Sequence, residues 1–230
     1  GHKDTQPSTS PDGQTVAYVR TSSPKELRAV EVDGSGDRLL FNGAPHGFEV
    51  MQTALGWSPS GTRIAFSAKV GEQSELFTIR PDGSDLTRLT RTTNLHERKS
   101  FVYGSATDLQ WTDDESYLII WQSSQDYTSG QLVKVATDGS GATPIYPGSV
   151  NQQALFTLAE GLPSAHTFLI ATIPEGARSQ YCRFDLNGGT PQRLDLFIPN
   201  HTFAHGGTAP ALSPGNSRLA LWASDGGGSN

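Results

Sequence analysis

The sequence predicts an all-β protein, a β-propeller of four-stranded antiparallel blades, on three observations. One turn motif recurs about every fifty residues, a hairpin motif follows each copy, and the strands between them are apolar on consecutive positions. Self-similarity at such a period marks a repeat architecture before any finer reading.

The turn motif comes first. Ser10-Pro11-Asp12-Gly13 opens the stretch that ends in Val16-Ala17-Tyr18, and Ser58-Pro59-Ser60-Gly61 opens one that ends in Ile64-Ala65-Phe66. Ser213-Pro214-Gly215-Asn216 stands likewise before Leu219-Ala220-Leu221. Thr112-Asp113-Asp114-Glu115 before Tyr117-Leu118-Ile119-Ile120 is a degenerate copy, and residues 159–170, turning at Leu162-Pro163-Ser164, are a looser one. The residues before the turns are Thr9, Trp57, Trp111, about Leu158, and Leu212, spaced 48, 54, 47 and 54 apart.

The second motif follows downstream. Asp33-Gly34-Ser35-Gly36, Asp82-Gly83-Ser84-Asp85, Asp138-Gly139-Ser140-Gly141 and Asn187-Gly188-Gly189 each lie between two short β-prone runs. Asp-Gly and Asn-Gly there signal hairpins, because their central residues take positive φ at little cost. Each unit is therefore four short strands: one ending at the anchor, one after the first turn, and one on each side of the second.

The second strands settle the packing. Val16-Ala17-Tyr18-Val19, residues 117–121, Phe168-Leu169-Ile170-Ala171 and residues 219–222 are apolar without alternation, as in strands covered on both faces. A parallel α/β sheet would also cover both faces, but it needs amphipathic helices that the chain lacks. A small antiparallel sheet held between two like neighbours is a propeller blade. The units fall at about 4–46, 51–92, 106–147, 151–196 and 205–230, the last incomplete, so about four and a half repeats are present. An open half blade leaves apolar faces and a strand edge uncovered, so the expectation is a piece of a propeller of six to eight blades.

Composition narrows the function. Gly and Pro, 25 and 14 of 230 residues, stay below the roughly one quarter that marks low complexity. Seventeen basic against 23 acidic residues give a net charge of −6, which repels a phosphate backbone and argues against nucleic acid. One cysteine, Cys182, excludes an intrachain disulfide and a Cys-rich zinc site. The longest apolar runs fall far short of the ~20 residues of a membrane helix, so no direct membrane insertion is expected. No leader is visible at Gly1-His2, and an export signal could have been removed before it.

Trp57 to Phe66, Glu75-Leu76-Phe77-Thr78-Ile79, Asp82-Gly83-Ser84 and Thr87-Arg88-Leu89-Thr90 together resemble the TolB-type, WD-repeat-like propeller unit. Residues 9–41 match nearly as well, 107–146 with an acidic turn, 152–194 loosely, and 208–224 as half a unit. The resemblance implies an extracytoplasmic, periplasmic scaffold whose axial channel and mouth receive a protein or peptide partner. The quoted residues build blades, so no catalytic role comes with them.

The search for chemistry gives little beyond this. Gly56-Trp57-Ser58-Pro59-Ser60-Gly61 has one residue too many for a nucleophile elbow, and Ser58 is explained by its turn. The histidines His2, His46, His96, His166, His201 and His205 contain no His-Glu-x-x-His. His201 and His205 are four apart ahead of Gly206-Gly207, in a loop. With a divalent metal they support an alternative, a propeller lyase acting on acidic oligosaccharides. A further alternative is the sensor ectodomain of a membrane-bound receptor or kinase. The aspartate pairs Asp33/Asp37 and Asp82/Asp85 lack an EF-hand pattern and read as turn caps. No cofactor and no metal are expected.

The remaining signal is positional. In a propeller the first strand of each blade runs beside the axis, so polar residues near its start line the channel mouth. These are Thr5 and Gln6, Gln52 and Thr53, Thr107 and Asp108, Gln152 and Gln153, and His205 with Thr208. A ring of amides and hydroxyls with one carboxylate suits hydrogen bonding to peptide backbone or carbohydrate.

Overall fold

The computed structural model describes residues 3–91, 99–101, 109–124, 130–145, 156–158, 168–175, 178–186, 190, 192–193, 211–212 and 219–220. Within them the chain is a succession of antiparallel meanders. The first sheet runs β1 (Asp4–Thr9), β2 (Thr15–Arg20), β3 (Glu26–Glu31), β4 (Arg38–Asn42), each paired to the next. A short 3-10 turn, Ala44–His46, leads to β5 (Phe48–Trp57), β6 (Ile64–Val70), β7 (Gln73–Ile79) and β8 (Thr87–Arg88) in the same order. The third sheet takes β9 (Lys99–Phe101) with β10 (Leu109–Trp111), β11 (Tyr117–Ser124), β12 (Gly130–Ala136) and β13 (Ala142–Pro144). A fourth comprises β14 (Phe156–Leu158), β15 (Phe168–Glu175), β16 (Arg178–Asp185) and β17 (Gln192–Arg193), and β18 (Ala211–Leu212) pairs with β19 (Leu219–Ala220). These are the blades of a β-propeller, present in part.

The anchor turns are built alike, which explains their composition. The Ser10 hydroxyl accepts from the Thr15 amide at 2.9 Å and donates to Asp12 Oδ1 at 2.6 Å, while the Ser10 amide donates to the Thr15 carbonyl. Thr112 repeats the scheme with Tyr117 and Asp114, and Ser58 Oγ accepts from the Arg63 amide at 3.2 Å. The fourth residue needs positive φ: Gly13 and Gly61 both sit at 71°, and Glu115 takes 58°. The second turns hold by Asx caps, with Asp33, Asp82 and Asp138 accepting from the Ser35, Ser84 and Ser140 amides at 2.8–2.9 Å.

Between blades lie apolar seams. The first buries Ala17, Val19, Leu27, Ala29, Leu40 and Phe41 of the first sheet against Val50, Leu55, Ile64, Phe66, Ala68, Phe77 and Ile79 of the second. The second packs Ala65, Leu76 and Leu89 against Leu109, Trp111, Leu118, Ile120, Val133 and Val135. The second sheet is thus covered on both faces, and every residue of β7 is buried. Burial extends to polar members. Glu75, fully buried, accepts from the Thr90 hydroxyl and pairs with Arg88 at 3.1 Å.

A set of seam contacts repeats from blade to blade. Trp57 Nε1 donates to the Ser8 carbonyl at 2.9 Å, and Trp111 Nε1 donates to the Gly56 carbonyl at 3.1 Å. Each anchor tryptophan therefore clasps the preceding first strand one residue before that strand's own anchor. Pro11 lies 3.5 Å from where a Gly61 Cβ would stand, and the Leu40 carbonyl 3.0 Å from a Gly83 Cβ.

Candidate functional site

The first strands stand side by side, with β5 against β1 on one side and β10 on the other. That is the geometry of strands converging on a shared axis. Up-and-down order places the anchor turns and Asp-Gly turns at one end of the blades. The β2–β3 and β6–β7 connections and the links between blades lie at the other.

Near that second end the pairing to the second strand is interrupted in the first three sheets. Between Thr5, opposite Val19, and Ser8, opposite Ala17, β1 spends one residue more than β2. The interruption holds Gln6, half-buried at φ 53°, and Pro7. In β5 the break lies between Val50, opposite Ala68, and Leu55, opposite Phe66, and it contains Met51, Gln52, Thr53 and Ala54. In the third sheet Phe101 pairs with Gln122 and Leu109 with Ile120, with residues 102–108 between them. Bulges of this kind re-aim side chains and free backbone groups from the ladder. The Thr5 hydroxyl is not idle, since it donates to the Val19 carbonyl at 3.3 Å.

Gln6, Gln52 and Thr53 therefore occupy strand interruptions at nearly one level of two neighbouring first strands, and Thr5 is the last paired residue before the first of them. Thr107, Asp108, Gln152, Gln153, His205 and Thr208 lie outside the described residues, as do His201 and His96. The sequence reading placed these polar pairs near strand starts without foreseeing the bulges. The signal was there in the spacing, because residues 47–57 are too many for a strand opposite residues 64–70.

Around this end Lys25 of the β2–β3 connection pairs with Glu49 of β5 at 2.6 Å, tying the first two blades together. The exposed His46 ring stacks on Phe41 at 6.1 Å and tilts against Phe48 at 6.0 Å. At the opposite end the carboxylates of Asp12, Asp33, Asp82 and Asp138 are held below the ordinary aspartate value of 3.8, chiefly by hydroxyls of Ser10, Ser35, Ser84 and Ser140. Burial pushes Asp114 up, but bonds from Thr112 and Ser116 outweigh it and leave its pKa lowered. These are structural carboxylates. Ser58 is wholly buried in its turn and cannot be reached as a nucleophile. Among the described residues no three His, Cys, Asp or Glu side chains group as a metal site, and no helix is long and apolar enough to cross a membrane.

No protein-family profile matches the chain, and no curated protein does. Solved structures do. TolB from Acinetobacter baumannii shares 18% identity over 95% of this chain, with a TM-score of 0.60. Oligogalacturonate lyase in complex with manganese shares 11% over 93%, with a TM-score of 0.64. The β-propeller domain of the Trilobed protease from Pyrococcus furiosus shares 13% over 88%, with a TM-score of 0.55. The chain spans 48%, 57% and 59% of these three chains respectively. At such identities the likeness establishes the fold, a TolB-like propeller, and leaves the activity to be argued.

Proposed function

We propose that the chain is part of a non-catalytic binding propeller that works outside the cytoplasm. Its partner is a peptide or protein segment held at the end where the first strands are interrupted. The observation that carries this reading is the recurrence of the break at nearly one level of β1, of β5 and between β9 and β10, both of which pair with β11. A bulge costs ladder bonds, and those in the neighbouring strands β1 and β5 release amides and carbonyls that an extended peptide could use. Gln6, Gln52 and Thr53 add neutral donors and acceptors there. Likeness to TolB supports a protein partner in an extracytoplasmic setting.

A displayed library of short unstructured peptides, followed by calorimetry on the hits, tests the reading. A Gln52→Ala/Thr53→Ala variant is expected to lose about tenfold in affinity. Gln14→Ala, at the opposite end, is expected to bind unchanged. Hits that ignore the first variant, or no hits at all, overturn the proposal.

The likeness to a manganese-bound oligogalacturonate lyase favours a second reading, metal-dependent cleavage of an acidic oligosaccharide through His201 and His205. Stoichiometric metal in the purified chain, lost on His205→Ala together with lyase activity, would replace the first reading with this one.

A further inference from the structure

Among the described residues one long strand edge is left unprotected. β5 is the longest strand described, ten residues from Phe48 to Trp57, and it ends its sheet, with β6 on one side only. Its other edge lies between the first strands β1 and β10, its neighbours beside the axis. From Val50 to Trp57 the sequence holds no charged residue and no proline. A row of amides and carbonyls without a ladder is a template for another chain, and charge, proline or brevity ordinarily blunts it.

The other described edges are blunted in these ways. β1 starts on Asp4 and holds Pro7, which has no N–H, beside Gln6 at φ 53°. β4 starts on Arg38, and its pairing is bulged opposite Leu27 and Arg28. β13 has three residues and ends on Pro144, β8 and β17 have two each, and β9, β10 and β14 have three. Among these edges only β5 combines length with a stretch free of charge and proline.

Contacts at its two ends define the open stretch. Toward the anchor turn, Trp111 Nε1 donates to the Gly56 carbonyl at 3.1 Å, and the Leu109 side chain stands 3.0 Å from where a Gly56 Cβ would be. Toward the other end Glu49 is tied to Lys25 at 2.6 Å. Between them Met51, Gln52, Thr53 and Ala54 stand opposite a single residue of β6, Ser67, which is wholly buried. Four residues cannot all ladder with one, yet the segment stays extended within β5. Most of its backbone groups are therefore left without a strand partner.

We infer that the axial edge of β5, from Met51 to Leu55, takes an added strand, and that its occupant is one extended peptide segment free of proline and of charge where it pairs. The inference rests on the binding reading given above and deepens it from a place to a mode. Main-chain bonds hold the segment, and side chains select only at alternate positions. An edge flanked by β1 on one side and β10 on the other admits a single extended chain and excludes the edge of a whole sheet, which favours a peptide over a second folded copy. Between Val50 and Trp57 no side chain answers an ion on that peptide, so a charge there would lose water without gaining a partner.

The probe is the tightest octapeptide recovered from the displayed library, synthesised with blocked ends, together with copies that each carry one backbone N-methyl group. Only the peptide is altered, so the fold of the protein is untouched. Calorimetry against the 230-residue chain is expected to show losses of about tenfold at every second N-methyl position and the affinity of the unmodified peptide at those between, because alternate amides of a strand face its partner. Hydrogen exchange of the amides from Met51 to Leu55 is expected to slow on saturation, and the recovered sequences to lack proline and charge across the paired positions. Binding that tolerates every N-methyl group, or weakens without alternation, overturns the added strand. So does exchange from Met51 to Leu55 that ignores the peptide, or charge at the paired positions. If such binding still weakens in Gln52→Ala/Thr53→Ala, the site stands and only its mode falls. Peptides that ignore that variant, or a library without hits, overturn the site and this inference with it.

Discussion

Glu115 is a sharp probe of how the repeat tolerates a departure from its own motif. It stands where the first two anchor turns have glycine, at φ 58°, a region that costs an ordinary L-residue about 1–2 kcal/mol. Its Oε1 accepts from the Ser60 amide at 2.6 Å, a charge-assisted bond to the anchor turn of the preceding blade. Glycine could not make that bond. Glu115→Ala keeps the strained backbone and loses the bond, so it is expected to destabilise the chain by about 1–2 kcal/mol. Glu115→Gly loses the same bond but relieves the backbone, and the looser unfolded chain returns about 0.4–1 kcal/mol of that gain. The glycine variant is therefore expected to be nearer wild type than the alanine variant, by roughly 0.5–1 kcal/mol. Urea unfolding followed by tryptophan fluorescence, with equal slopes for all three chains, reads the difference. An alanine variant as stable as wild type refutes the interblade bond. A glycine variant less stable than alanine refutes the claim of strain.

Three further outcomes follow from the seams and turns. Phe66→Ala is expected to cost about 3–5 kcal/mol in the same unfolding assay, since Phe66 is fully buried between Phe41 at 5.4 Å and Phe77 at 5.7 Å; a loss under about 1 kcal/mol contradicts a packed seam. Gly83→Ala and Gly34→Ala carry similar φ penalties, at 84° and 87°, but only the first drives a Cβ to 3.0 Å from the Leu40 carbonyl, so its melting temperature is expected to fall further; equal falls would deny that the seam is tight there. The turn aspartates have folded pKa values below 3.8, so their contribution is present above the unfolded value and lost as pH falls through the folded one. Melting temperature is expected to hold at mildly acidic pH and to drop below about pH 4, less steeply in an Asp33→Asn/Asp82→Asn chain, and an unchanged acid limb in that variant would remove these carboxylates from the account.

The propeller was legible because its signals are local and repeated. A Ser or Thr capping its own turn, a residue at positive φ and an Asx cap are properties of four to six neighbouring residues, and each copy votes again for the same strand order. Trp57 and Trp111, the residues before their turns, prove to be clasps on the preceding strand, a role that spacing alone could not give because the acceptor is a carbonyl 49 or 55 residues away. The interruptions of β1 and β5 were less legible. A bulge is decided by pairing with another strand, and the residues inside it carry no pattern of their own. The buried Glu75 was invisible for the same reason, since its partners Thr90 and Arg88 arrive only when β8 folds back on β7.

That division bears on why this fold tells so little of its use. The repeat spends its distinctive residues on turns and seams, where each answers to a neighbouring blade: Ser58 to Arg63, Trp57 to Ser8, Gly83 to Leu40. On the reading proposed above, the interrupted ends of the first strands answer to a ligand instead, through Gln6, Gln52 and Thr53. The two regions should therefore separate under mutation. Gln52→Ala/Thr53→Ala is expected to leave the unfolding midpoint within about 0.5 kcal/mol of wild type, as for substitutions away from packed features, while it weakens peptide binding. Trp57→Phe is expected to do the reverse, costing about 1 kcal/mol for the lost bond to Ser8 with peptide affinity unchanged in the folded fraction. Parallel unfolding and calorimetry on both variants decide it, and a loss of stability and affinity together in the Gln52/Thr53 variant would mean that the bulge holds the blade rather than the ligand.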